Sequence, residues 1–441
     1  MPSTRLPRLL PLLALAAPHL HAAPPVDLDA ALRQWLGDQP HGVAAAWIDA
    51  SGVTFANAGR FDAADARPIT PDTYFEIGSL TKVFTATLLA DAVQQDRLKL
   101  DDPVGAPFAP SAITYRQLVT HTSGLPRMAR DFTPRGGPGN PYGAVNLDDL
   151  ARSFAAAAPD ARPGKSSYSN FGYAVLGQAV AHADGQSYAE ALRARVLAPL
   201  GLAGTFVTRA EVDAARLAPG HSDSGRTTNW DFDAYAPAGS LLSTARELAR
   251  FVQAELSLVE TPLNALLVET QQPLAAGDLP ARRIGHAWMI ETRGPDTVLW
   301  HNGATGGYHS FLVFDPLKKT GLVLLTNSSR GLEAMGFALL AGRMPPPPPK
   351  PPAEVKLPAD VLAGYVGVYT LGPVEFTVTE ENGAMAVQLT GQSRLPMFAS
   401  AKDEFFLKVV PARISFERDA SGRVAALVLH QNGRDQRATR K

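Results

Sequence analysis

Apolar residues along this 441-residue chain fall into runs of different kinds, and the kinds predict its elements. From Val83 to Ala90 only threonine interrupts the apolar residues. A helix with no polar face is one buried on every side, and this one should run to about Gln94. Residues 26–36 are amphipathic instead and stop at Gly37 and Pro40. Two short apolar runs, 43–48 and 53–56, are split by Asp49-Ala50-Ser51-Gly52, which predicts a hairpin. Thr114 to Gln117 and Thr244 to Glu247 have capping-box spacing, so helices should open there, the second reaching about Val259. Helical patterning dominates 147–197. After about residue 284 the pattern becomes strand-like, with apolar runs at 287–290, 298–300, 311–314 and 322–325, before a return to helix at 332–341. Strands at both ends with helices between them fit one antiparallel sheet covered by helices, an α/β (α+β) fold with a mostly helical insert.

Pro345 to Pro349, followed by Lys350-Pro351-Pro352, reads as a stiff linker. Beyond it Val374/Phe376/Val378 and Ile414/Phe416 alternate with polar residues, and Asn382-Gly383 and Ser421-Gly422 mark hairpin turns. The expected organisation is therefore a leader at 1–23, a first domain at 24–343, a linker at 344–357, and a small β-barrel or sandwich at 358–441. The leader reading rests on Arg5 and Arg8 before the apolar stretch Leu9 to Ala17, and on His21-Ala22-Ala23 as a small-residue cleavage site. No later stretch is long and apolar enough to span a bilayer.

Composition narrows the chemistry. The formal net charge is −1, which gives no reason to expect nucleic acid or an anionic membrane as partner. The absence of cysteine removes disulfides, thiol nucleophiles and thiolate metal sites. An export leader on a cysteine-free chain points to a bacterial periplasm or exterior. His41, His121, His182, His221, His286, His309 and His430 show no metal spacing and are expected to be structural. No phosphate-binding glycine loop and no Gly-x-Ser-x-Gly elbow stands out, so neither metal nor cofactor is expected.

Three motifs carry candidate chemistry. Ser79 and Lys82 are three residues apart, so on a helix they share a face. A lysine at the dry start of a buried helix has a lowered pKa and becomes a proton acceptor for the serine. About one Ser-x-x-Lys is expected by chance in a chain of this length. The glycine before Ser79 and the apolar helix after it raise this one above chance. Tyr168-Ser169-Asn170 is either a capped helix start or a site in which Tyr168 carries a proton near Ser79 and Asn170 binds Lys82 or a substrate amide. His301-Asn302-Gly303-Ala304 is either a glycine-rich turn or a strand end whose Ala304 N–H joins that of Ser79 in polarising a carbonyl. The unperiodic stretch from Arg127 to Tyr142 is a rim of the substrate site or a plain surface loop.

Ser79-x-x-Lys82, Tyr168-x-Asn170 and His301-x-Gly303, in that order, resemble the penicillin-recognising serine hydrolases, in particular the class C β-lactamase and DD-peptidase/esterase group. Phe75 to Gly78, Leu118 to Leu125 and Pro237 to Ser240 strengthen the likeness, which covers about residues 30–340. It implies a helical domain packed on an α/β sandwich with the cleft between. It also implies acylation at Ser79, with Lys82 and Tyr168 moving the proton and the Ser79 and Ala304 amides forming the oxyanion hole. Asn170, His301 and Gly303 would line the substrate. The C-terminal segment resembles small lipocalin-like barrels that accompany some of these hydrolases. Where lactamases of the group have Lys-Thr-Gly, this chain has His301-Asn302-Gly303. A literal Lys319-Thr320-Gly321 falls in an expected hairpin turn and is read as a decoy. An imidazole with a pKa near about 6.5 is only partly charged at neutral pH. The expectation is thus an exported serine hydrolase acting through an acyl-Ser79 intermediate on small-molecule or peptide esters and amides, as an esterase, a D-amino-acid peptidase or a weak β-lactamase. The rival is a penicillin- or peptide-binding sensor that acylates without turning over.

Overall fold

The computed structural model describes residues 24–441 apart from 138, 158–163, 223–224, 346, 348–351, 373, 391–393, 409–411 and 432–433. The expected leader at 1–23 and part of the proline linker lie outside the described residues.

Both ends of the first segment meet in one eight-stranded sheet. Its order is Gly52–Gly59, Gly42–Asp49, Thr320–Thr326, His309–Asp315, Asp296–Ala304, Met289–Arg293, Arg282–Ile284 and Ala275–Ala276, with every pairing antiparallel. Successive side chains leave a strand on opposite faces, and here both faces are covered. Ala44, Ala46, Ile48, Leu312, Phe314, Val323 and Leu325 enter a core shared with the helices Thr81–Gln94, Asn170–Ala183 and Ala245–Glu255. Val43, Ala45, Trp47, Phe311, Val313, Leu322 and Leu324 pack instead against Leu28–Leu36 and Glu333–Leu340. That two-sided burial is why the strands read as near-continuous apolar runs.

The helix Thr81–Gln94 is buried at every position from Thr81 to Ala92, as its lack of a polar face requires. Several boundaries differ from expectation for local reasons. The strand expected at 287 starts at Met289, because Ala287 has φ +69°, a left-handed conformation outside the β region. The helix opened by Thr244 ends at Glu255, two residues before Ser257 with φ +51°. Its capping box is half formed. Thr244 accepts from Glu247 N, while the Glu247 carboxylate turns to Gly204 N and Thr205.

Residues 367–440 form a closed eight-stranded barrel in which each strand pairs with the next in sequence. Tyr369 opposite Arg440 closes it. Its interior is filled by Tyr365, Tyr369, Phe376, Phe405 and Phe416 among others. The Asn382-Gly383 turn joins two barrel strands, with both residues at positive φ.

Candidate active site

The backbone before Ser79 is fixed on two sides. Phe75–Glu76 pairs with Leu242–Ser243, Ile77 N donates to Leu241 O at 2.9 Å, and Ser310 Oγ donates to Ile77 O at 2.7 Å. Gly78 then turns the chain with φ +51°, in a place where a Cβ would lie 2.7 Å from Ala304 N. Only glycine meets both demands. Ser79 sits in the 3₁₀ turn Gly78–Leu80 that leads into Thr81–Gln94, rather than in the α-helix itself.

The strand Asp296–Ala304 supplies the facing wall. Its neighbour Met289–Arg293 pairs with it only as far as Trp300, so one edge of residues 301–304 is left for the Ser79 turn. Thr305 N donates to Tyr308 O at 3.1 Å. By the alternation of an antiparallel ladder, the Ala304 N–H then points away from the strand His309–Asp315, toward Ser79. A Cβ on Gly303 would overlap Ile77 O and lie 2.9 Å from Ser79 N. The Ser79 and Ala304 amides are thus brought together at a glycine-lined edge.

Lys82 has 0% of its surface exposed. Its Nζ is 3.0 Å from Ser79 Oγ, 2.9 Å from Asn170 Oδ1 and 2.5 Å from Ala238 O. Desolvation, reinforced by the charge of Arg127, holds its pKa well below the usual lysine value. A neutral amine fits these partners. Two N–H bonds go to Asn170 and Ala238, and the lone pair is left for the Ser79 proton. The Asn170 amide is oriented in turn by donating to Tyr142 Oη at 3.2 Å. Ser169, not Asn170, caps the helix Asn170–Ala183, accepting from Gly172 N at 2.8 Å.

Tyr168, half-buried, hydrogen-bonds the Ser79 side chain. Burial pushes its phenol up to about 12, against the Ser79 hydrogen bond and the charge of Arg127. The Lys82 Nζ and the Arg127 Cζ lie 4.8 and 5.1 Å from its ring centre, and the His121 ring lies at 4.5 Å.

His301 stands on the strand edge, 1% exposed, its ring centre 6.5 Å from that of Tyr168. Its Nδ1 is 2.6 Å from Asn302 O, so that nitrogen carries the proton and Nε2 keeps a free lone pair. Burial presses its pKa down to about 3. This corrects the expectation of a partly charged imidazole near neutrality. The ring is neutral. Lys319-Thr320-Gly321 lies at the far end of the strand His309–Asp315, where Lys319 Nζ donates to Leu256 O at 2.7 Å.

Ser79, Lys82, Tyr168, Asn170, His301, Gly303 and Ala304 therefore converge. Four groups were assigned no individual role in the site from the sequence, although each lies in a stretch it singled out: the Ala238 carbonyl, Tyr142, Arg127 and His121. Tyr142 and Arg127 end the unperiodic stretch, which was the available signal. His121, grouped among structural histidines, accepts from Ser169 N at 3.1 Å and so shapes the Tyr168 loop. Ala238 acts through its backbone, and side-chain chemistry could not have marked it.

The arrangement can deprotonate a serine beside two backbone donors. The chain is also similar to known proteins over the segment that carries the site. Residues 26–341 match a family model described as Beta-lactamase, and 351–440 match a domain of unknown function, DUF3471. The chain is 32% identical over 335 residues to Penicillin-binding protein 4 of Amycolatopsis lactamdurans, covering 68% of this chain and 85% of that one. A class C beta-lactamase structure from Rhodobacter sphaeroides superposes with TM-score 0.59 at 22% identity, covering 68% of this chain and 93% of its own. The octameric penicillin-binding protein homologue from Pyrococcus abyssi superposes with TM-score 0.61 at 23% identity, covering 91% and 96%.

Proposed function

This chain belongs to the beta-lactamase family, and from that premise we propose that it is an exported serine hydrolase working through an acyl-Ser79 intermediate on esters or peptide amides. Ser79 Oγ attacks the carbonyl carbon as its proton passes to the Lys82–Tyr168 pair. The Ser79 and Ala304 amides take the charge that develops on the carbonyl oxygen. Tyr168 returns a proton to the leaving oxygen or nitrogen, and the same pair activates water for release of the acyl group. We assign the pair and not one member as base. Asn170 and the Ala238 carbonyl hold the amine in place.

The observation that carries this reading is the 3.0 Å contact of Ser79 Oγ with an amine whose other bonds go to Asn170 and Ala238. A neutral His301 offers no cation to a β-lactam carboxylate, so β-lactam turnover should be poor. We read 24–343 as the catalytic segment, 344–357 as the linker and 358–441 as an accompanying barrel. The basic-apolar pattern of 1–23 supports a periplasmic or secreted location, which N-terminal sequencing of the mature protein would test. Purified protein should turn over a nitrophenyl ester steadily and lose that activity with Ser79→Ala. A single stoichiometric burst without further product, or efficient penicillin hydrolysis at pH 8, would count against the reading.

A further inference from the structure

Glu76 stands just before the Ser79 turn and is 3% exposed, yet no step of the acyl transfer uses it. Its Oε1 accepts from Asn229 Nδ2 at 2.7 Å and from Trp230 N at 3.0 Å. Asn229 Nδ2 also donates to Tyr308 Oη at 2.8 Å, and that hydroxyl donates to Ala218 O at 2.6 Å. Tyr308 closes the turn that begins after Ala304, its carbonyl accepting from Thr305 N at 3.1 Å. The Thr305 hydroxyl acts on the Glu76 carboxyl as well, and it and Glu76 Oε2 are both buried with no other partner among the described residues. The turn has no slack. A Cβ on Gly306 would lie 2.8 Å from Trp230 Nε1, and one on Gly307 would overlap Thr227 Oγ1. One carboxyl thus joins three backbones: its own strand running into Ser79, the segment 227–230, and the turn 305–308 that starts beside Ala304.

We infer that Glu76 is a positioning residue for the oxyanion hole, holding the Ser79 and Ala304 amides at one spacing by tying both of their turns to the segment 227–230. The inference rests on the hydrolase reading above and adds to it a residue that touches no substrate atom. Oxyanion donors act only when preorganised on the point where charge develops, so a tie between their two backbones bears directly on rate. A buried carboxyl also sets an electrostatic condition. Ionised, it would place negative charge behind the two amides and oppose the charge developing on the carbonyl oxygen. Protonated, it keeps the same acceptor oxygen without that charge. Burial raises its pKa to about 7 against the bonds from Thr305, Asn229 and Trp230, and Asp231 pushes in the same direction as burial. Arg209 and Tyr308 are the other ionisable groups that feel its charge, and the paired strand Leu242–Ser243 brings none. The neutral acid is therefore the active form. Turnover that rises as Lys82 loses its proton should fall again as Glu76 loses its own.

The test follows kcat/KM for a nitrophenyl ester in the full-length protein from about pH 5.5 to about pH 9. Rates are expressed per Ser79 titrated to completion with a fluorophosphonate, so that unfolded protein is not counted. Glu76→Gln keeps the acceptor oxygen for Asn229 and Trp230 and cannot ionise. It should match the wild type within about threefold at pH 6 and lose the decline above about pH 7. Glu76→Leu removes the acceptor and should lower kcat/KM per titrated site about 10- to 100-fold at every pH. A Gln variant that keeps the wild-type decline overturns the inference. So does a Leu variant that loses titratable sites while each remaining site works normally, because Glu76 would then serve folding alone; either result leaves the hydrolase reading standing. If the wild type hydrolyses no ester and forms no Ser79 adduct, both fall.

Discussion

At the scale of single residues, burial shifts Lys82 and Glu76 in opposite directions, each toward its uncharged form. Desolvation holds the Lys82 amine well below its usual value and pushes the Glu76 carboxyl up to about 7. Lys82→Met should therefore lower kcat for a nitrophenyl ester by about 10³ or more, since it removes the proton acceptor. The rate should climb with pH as Lys82 deprotonates. Replacing His301 with Gln should leave the shape of that profile between pH 6 and 8 unaltered, because an imidazole at about 3 does not titrate there. A lost inflection near 6.5 in the variant would show that His301 does titrate there. Glu76 accepts from Asn229 Nδ2 and Trp230 N on one oxygen. Its native pKa exceeds the unfolded value, so its contribution to stability is complete below about 4.5 and is lost as pH rises toward 7. Glu76→Gln keeps both acceptor bonds and removes the ionisation. Relative to wild type it should gain roughly 2–3 kcal/mol between pH 4.5 and 8, measured by denaturant melts across that range. A constant difference would refute the shift.

Among the elements, the site depends on backbones brought closer than side chains allow. Gly78 and Gly303 have no room for a methyl group between the 3₁₀ turn and the strand Asp296–Ala304. Gly303→Ala should pull Ser79 N away from Ala304 N, lowering kcat about 100-fold or more and costing about 1–3 kcal/mol of stability. A variant with normal turnover would mean that the two amides do not act together. The elements were largely legible. Strands buried on both faces read as apolar runs, the helix Thr81–Gln94 betrayed its burial by lacking a polar face, and Tyr168-Ser169-Asn170 stood just before a helix. Boundaries were less so. The strand start at Met289 and the helix end at Glu255 follow from positive φ angles at Ala287 and Ser257, and residues other than glycine carry no sequence mark for that conformation. The charge state of His301 was equally hidden, because spacing tells which residue faces the cleft and not how dry the strand edge is.

For the molecule as a whole, every side chain that converges on Ser79 among the described residues comes from the segment before the barrel. The barrel interior is occupied by its own aromatic rings, Tyr365 lying 4.6 Å from Phe416 and 5.0 Å from Phe405. Among the described residues these rings pack into a core with Tyr369, Phe376 and Leu427, a packing that the alternation of Val374, Phe376 and Val378 alone did not specify. A chain ending at residue 343 should keep Ser79-dependent turnover of a short-chain nitrophenyl ester within about tenfold, as judged by kcat/KM. Complete loss in a folded truncated protein would assign the barrel a part in the site.

One measurement reaches the centre of the account: mass spectrometry of the protein quenched during steady turnover of an ester. An acyl group should be found on the peptide containing Ser79, absent after Ser79→Ala and not accumulating in Lys82→Met. Acylation of a different residue, or undiminished hydrolysis by Ser79→Ala, would contradict it.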